Sequence, residues 1–228
     1  MRHALIVLAV LCAAAGTASQ SAEAQDWASL AHYRDANRTL PKTDPRRVVF
    51  IGDSITEGWA GQPFIRDNPH LVGRGISSQT APQMFVRFQS DVVALKPAIV
   101  HIMAGTNDIA RNTGPETENE MFGYIVGMAQ LAHANRIKVI IASVLPAADF
   151  PWRQGLDPAP KIRALNSRLK AYAADHGFIY ADYWSVLAST GGSMNPRYSG
   201  DGVHPNAAGY EAMRPVARAA IARAMRAR

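Results

Sequence analysis

The strongest constraint on how this chain can fold is the form of its apolar runs. Residues 48–51, 98–103, 139–144 and 178–181 are short, continuous and rich in β-branched residues, and 70–73 is a weaker fifth run. Such runs do not alternate polar with apolar, so they suit strands buried on both faces. The segments between them repeat apolar residues at threes and fours. Ala81, Met84, Phe85, Phe88, Val92 and Leu95 follow Thr80, a candidate N-cap. Met121, Ile125, Met128 and Leu131 form a second helical face; Ile162, Leu165, Leu169 and Tyr172 form a third. Met213, Val216, Ala220, Ile221 and Ala224 form the last, and the methionines read as core filler. Residues 26–40 are expected to add a helix outside the sheet core. Strands alternating with helices predict an α/β fold, with a parallel sheet of about five strands covered on both sides. No internal repeat or long linker divides the chain, so residues 25–228 read as one domain.

The first 24 residues read differently. Arg2 and His3 precede an apolar run over 4–15, and Ala22-Glu23-Ala24 closes the segment. That order is the pattern of a cleaved secretory signal peptide, and the run falls short of the roughly 20 residues a membrane span requires. The only cysteine, Cys12, lies within it, and Leu11 is not the small residue that a lipoprotein signal has before its cysteine. A mature chain without cysteine has no disulfide framework and no thiol nucleophile, which fits an exported protein of a bacterial periplasm or secreted space. Net charge is +6, and it stays +6 without the leader, which holds one base (Arg2) and one acid (Glu23). Arg214, Arg218, Arg223, Arg226 and Arg228 read as a solvated face of the last helix. No aromatic-interleaved basic motif or zinc-ligand spacing is present, so neither a nucleic-acid partner nor a metal is expected.

Proline- and glycine-rich loops occupy 58–69, 109–115, 146–160 and 189–205. In open α/β sheets ligands bind beyond the carboxyl ends of the strands, where three of these loops begin. Ser54 follows the first strand by three residues. In Ser54-Ile55-Thr56-Glu57 it reads either as an N-cap completing a capping box with Glu57, or as a nucleophile at the sheet's open end. A nucleophilic serine needs a histidine base oriented by an acid. Among the histidines after the leader, His101 sits inside an apolar strand, as a hydrogen-bonded core residue would. His133 and His176 lie near helix ends. His204 stands in Ser199-Gly200-Asp201-Gly202-Val203-His204-Pro205, three residues after an acid. Pro205 keeps His204 out of the α region and suits the first turn of a following helix. An oxyanion site needs preorganised donors, and Asn107, in Gly105-Thr106-Asn107-Asp108, follows another strand end. The loop 73–80 offers backbone N–H groups nearby.

Gly52-Asp53-Ser54, Gly75-Ile76-Ser77-Ser78-Gln79-Thr80, Gly105-Thr106-Asn107-Asp108 and Asp201-x-x-His204-Pro205 together resemble, in order, the four blocks of the SGNH hydrolases, the GDSL-type esterases. The resemblance implies a three-layer α/β/α sandwich with a flavodoxin-like sheet, and ester hydrolysis without metal or other cofactor. Carried over, Ser54 is the nucleophile, His204 the base and then the acid, and Asp201 the residue that orients His204. The oxyanion donors are Ser54 N–H, Asn107, and the N–H of Ser78, which stands where the family commonly has glycine; Gly75 supports that loop. Trp59, Phe150 and Trp152 are candidate pocket walls. The function expected is hydrolysis of short-chain esters, with O-acetyl groups on carbohydrate as the favoured substrate. The alternatives are a lysophospholipase or thioesterase of the same fold, or a sugar-binding module on an inactive scaffold. The chain lacks G-x-x-x-x-G-K-[ST], a dinucleotide fingerprint and G-x-S-x-G.

Overall fold

A computed structural model describes residues 26–227. The expected signal segment and Arg228 lie outside the described residues. Five strands, β1 Val48–Gly52, β2 Leu71–Gly75, β3 Ile99–Met103, β4 Lys138–Ala142 and β5 Ile179–Ala181, form one sheet in the order β2-β1-β3-β4-β5. Every pairing is parallel. The helices are α1 Arg34–Thr39, α2 Ser54–Ala60, α3 Pro63–Arg66, α4 Ala81–Asp91, α5 Thr106–Ile109, α6 Glu118–Ala134, α7 Pro158–Asp175, α8 Trp184–Leu187 and α9 Ala207–Arg226. The architecture is the expected three-layer sandwich, and the weak run at 70–73 is a full strand.

Successive residues of each strand face opposite layers, so continuous apolar runs supply two cores. Val49, Ile51, Val100, Ile102, Val139 and Ile141 pack beneath α4, α6 and α7, where Met84, Phe88, Met121, Ile125, Ile162 and Leu169 are buried. Val48, Phe50, Ile99, Met103 and Ile140 pack on the other side against Ile55, Trp59, Met213, Ala217 and Ala224 of α2 and α9. The arginines of α9 lie on its outer, half-buried to exposed face, as expected.

Residues 26–40 depart from expectation. Only Arg34–Thr39 is helical, and no residue of that helix is buried. The preceding segment is a run of turns held by specific contacts. Tyr33 Oη donates to the Gly75 carbonyl, and Gln79 Nε2 donates to the Ala28 carbonyl (2.9 Å). The segment therefore braces the loop after β2.

The register positions the site. Gly52 is level with Gly75 on one side and with Met103 on the other. The chain exits of β1, β2 and β3 thus lie side by side, and strand order reverses between β1 and β3, the switch point where α/β sheets bind ligands.

Candidate active site

Ser54 begins α2 immediately beyond β1, but it is not the cap. Asp53 is the N-cap, its carboxylate accepting from Ile55 N–H (2.9 Å). This leaves the Ser54 hydroxyl free, and its N–H, at the first helical position, lies outside the helix's own bonding. Burial pushes the Asp53 carboxyl up to about 6, against the opposing effects of the Ile55 N–H and the charge on His204. Glu57 does not complete a capping box either. Its carboxylate accepts from Ser77 N–H (3.0 Å) and from the Ser77 hydroxyl, tying α2 to the loop after β2. Gly75 is required where these elements meet: a Cβ there would collide with Glu57 N and Asp53 O.

Ser54 Oγ is 2.9 Å from His204 Nε2, across 150 residues of chain. His204 Nδ1 is 2.6 Å from Asp201 Oδ2. The other oxygen of Asp201 accepts from Val203 N–H (2.9 Å), His204 N–H (2.8 Å) and the Ser199 hydroxyl (2.9 Å). Burial raises the Asp201 carboxyl, but the His204 ring and these three donors outweigh it and hold the group well below the usual carboxylate range. Gly202, at φ 81°, lets the loop curl so that Asp201 faces the imidazole. Backbone pairing of Ser199 with Pro205 closes the loop. Pro205 precedes α9 rather than opening it: the N-cap is Asn206, whose side chain accepts from Gly209 N–H (3.0 Å).

Asn107 lies in α5, just past β3. Its Nδ2 donates to the Gln79 carbonyl (3.0 Å), and its Oδ1 accepts from Asn112 Nδ2 (2.9 Å). Ser78 takes φ 65°, the left-handed conformation that glycine provides without cost, and its N–H has no acceptor among the described residues. Behind these groups, Arg87 is fully buried. It reaches Gly52 O (2.9 Å), Gln79 Oε1 (2.6 Å) and Asp91 Oδ2 (3.1 Å), fastening the end of β1 to the Gln79 loop.

Of the three expected pocket walls, Trp59 is a core residue, and Phe150 is buried yet borders a groove. Trp59 has no exposed surface and packs among Phe50, His101, Tyr183 and Tyr210. Phe150 is equally buried and lies beneath Trp152, ring centroids 5.3 Å apart. Trp152 alone faces solvent, 42% exposed, with its ring 5.8 Å from that of His204. A groove of about 320 Å³ is lined in part by Asp149, Phe150, Gln154, Ser193 and Asp201. His101 is the core histidine expected. It bonds Tyr183 Oη (2.8 Å), and burial pushes its ring down to about 3, so it stays neutral. Arg74 is buried over the Tyr33 ring, and Arg153 donates to the Arg111 carbonyl (3.1 Å).

Sequence reasoning missed Asp53 as the cap, and it missed Gln79, Arg87 and Asn112. For Asn112 a faint signal existed, a second asparagine five residues after Asn107 in the same loop.

Taken together, fold and site define an α/β enzyme with a serine, an imidazole and a carboxylate in line at the switch point of a 2-1-3-4-5 sheet. Residues 50–212 match the GDSL-like Lipase/Acylhydrolase family, and the chain belongs to that family; it is an ester hydrolase. A Bacteroides fragilis protein provisionally described as an acylhydrolase is 47% identical over 89% of this chain and 100% of its own, with a TM-score of 0.85. A GDSL-like lipase from Bacteroides thetaiotaomicron is 44% identical over 86% of this chain and 98% of its own, with a TM-score of 0.83. An uncharacterized lipoprotein, YqeF, of Bacillus subtilis is 32% identical over 117 residues; the match spans 43% of this chain and about half (48%) of that protein. No helix among the described residues is long and apolar enough to cross a membrane.

Proposed function

We propose that the protein is an exported serine esterase that removes short acyl groups, with O-acetyl groups on carbohydrate as its substrates. The observation that carries this reading is the unbroken line from Ser54 Oγ through His204 to Asp201. In this mechanism Ser54 Oγ attacks the ester carbonyl carbon while its proton passes to His204 Nε2. The resulting oxyanion accepts hydrogen bonds from Ser54 N–H, Ser78 N–H and Asn107 Nδ2. The carbon–oxygen bond to the alcohol breaks as His204 returns the proton to that oxygen. Water then attacks the acyl-enzyme with His204 again as base, releasing the carboxylic acid and restoring Ser54. Asp201 holds the imidazole in the tautomer this requires and stabilises its charged form. Family membership supports ester chemistry. The carbohydrate preference is supported by the exposed indole beside His204, a flat apolar face suited to a sugar ring, and by the polar loops around it. Export is supported by the leader-like order of residues 1–24.

The deciding experiment measures acetate release from a panel of acetylated glycans, beside aryl esters of increasing acyl length. We expect acetate release and a steep fall in kcat/KM beyond about four acyl carbons. Ser54→Ala should lose at least about 10⁴-fold in kcat, and Asn107→Ala about 10² to 10³. Rates that rise with acyl length would overturn the short-chain reading in favour of a lysophospholipase or thioesterase. Failure of a serine-reactive phosphonate to label Ser54 in the folded protein would leave only a binding role.

A further inference from the structure

The groups that set the oxyanion donor form a chain of their own. Asn107 Nδ2 donates to the Gln79 carbonyl at 3.0 Å, and its Oδ1 accepts from Asn112 Nδ2 at 2.9 Å. Asn112 Oδ1 in turn accepts from Trp152 Nε1 at 3.1 Å, a bond that crosses 40 residues of chain. The Asn112 backbone N–H also donates to the Asn107 carbonyl (3.0 Å), fixing the turn between the two asparagines. A carboxamide can rotate by 180° and exchange its donor for its acceptor. Only one of the two orientations of Asn107 presents an N–H to an oxyanion. Two partners select it: the Gln79 carbonyl can only accept and so demands Nδ2 of Asn107, and Nδ2 of Asn112 can only donate and so demands Oδ1. Trp152 applies the same constraint one step out. Indole Nε1 can only donate, so it fixes Oδ1 of Asn112 toward itself and turns Nδ2 toward Asn107.

We propose that Asn112 and Trp152 are positioning residues for the reaction, a two-step hydrogen-bonded relay that locks the Asn107 carboxamide with its donor facing the oxyanion. The inference rests on the esterase reading above. It gives Trp152 two functions. The ring lies by His204, and the N–H fastens that same loop, which Arg153 also ties to the Arg111 carbonyl, to the oxyanion donor. The wall that meets substrate is thereby fixed in register with the group that stabilises the transition state.

The test uses the full protein and an aryl acetate, with folding of each variant checked by circular dichroism and Tm. Asn112→Ala should lower kcat by about ten-fold or more while KM stays within about two-fold, since the lost interaction acts in the transition state. Trp152→Phe keeps a ring beside His204 and loses only the donor; it should lower kcat in the same sense by a smaller factor. The two changes should not multiply: Asn112→Ala with Trp152→Phe should equal Asn112→Ala alone. In an Asn107→Ala background, Asn112→Ala should cost much less than it does in wild type, because only its longer bond to the Ser78 carbonyl (3.4 Å) is then left to lose. Unaltered kcat in Asn112→Ala, or effects of Asn112→Ala and Asn107→Ala that multiply, overturns the relay. Should Asn112→Ala fail to fold, Trp152→Phe alone decides, and an unchanged kcat rejects the proposal. Failure of the esterase reading looks different: wild type would then neither hydrolyse the ester nor become labelled at Ser54, and the relay would fall with it.

Discussion

Ser78 holds a left-handed backbone at φ 65°, a conformation that costs a residue bearing Cβ about 1 kcal/mol or more. The proposed mechanism uses only the backbone N–H of Ser78, so glycine would supply the same donor without that cost. We expect Ser78→Gly to stabilise the protein by up to about 1 kcal/mol, net of the greater freedom glycine gives the unfolded chain. In thermal melts this is a rise of about 2–4 °C, with kcat within about two-fold of wild type because the donor is retained. A fall in Tm would mean that the Ser78 side chain makes a contact worth more than the strain. The same residue illustrates what was legible at this scale. The Ser54, Asp201 and His204 positions were readable because each sits in a short motif whose local geometry is set by glycine and proline. Trp59 was misread because an aromatic in a short helix carries no local sign of which way it faces. Trp59 fills the aromatic cluster over Phe50, and Phe150 supports Trp152 from below.

Helix boundaries were legible where capping is local and less so where it is not. Thr80 was read correctly as the cap of α4, with its N–H donating to Gln83 Oε1 (3.0 Å). At α2 the Ser54–Glu57 spacing satisfied a capping box, yet Glu57 is drawn to Ser77, a partner 20 residues away that no local pattern could announce. The α4 N-terminus has a second such partner. Asp108 Oδ1, from α5, accepts from Ala81 N–H (2.8 Å). Asp108 Oδ2 is buried without a hydrogen-bond partner among the described residues, as is Glu116 Oε2. Burial pushes Asp108 up, against the Ala81 N–H, and Glu116 adds to the rise. An acid whose folded pKa exceeds its unfolded value of about 3.9 binds more protons when folded, so its contribution to stability is present in acid and is lost as pH rises toward the folded value. Asp108→Asn keeps the acceptor for Ala81 N–H and offers Glu116 an N–H that does not titrate. We expect this variant to lose less stability between pH 6 and pH 9, measured as Tm in matched buffers, and to exceed wild type by about 1 kcal/mol or more at the alkaline end. Parallel curves for the two proteins would show that the pair does not hold the proton.

At the scale of the whole molecule the site exists only because three sheet exits and one late loop converge. Apolar run lengths foretold the sheet, and the level ends of β1, β2 and β3 bring the first three blocks together. The fourth block, after β5, must be brought back from the far side of the sheet, and α9 does this. Its Tyr210 sends a hydroxyl to the Ile55 carbonyl in the first turn of α2 (2.9 Å), while its ring stacks on Trp59 at 6.0 Å. The histidine-bearing segment is thus fixed to the serine-bearing helix by a bond that touches neither catalytic candidate. That contact was invisible in the sequence, since it joins residues 155 apart and depends on how α9 lies across the sheet. Tyr210→Phe keeps the ring and removes the bond, leaving a buried carbonyl to its remaining helical partner. We expect a loss of about 1 kcal/mol, a drop in Tm of about 2–4 °C, because a single hydrogen bond contributes about that much net. We also expect kcat to fall while KM holds, since the distance from Ser54 Oγ to His204 Nε2 is what the bond guards and misplacement by about 1 Å can cost about 10²-fold. A Tyr210→Phe protein with lowered Tm and unchanged kcat would mean that the Asp201–His204 loop reaches Ser54 through its own closure at Ser199 and Pro205, without help from α9.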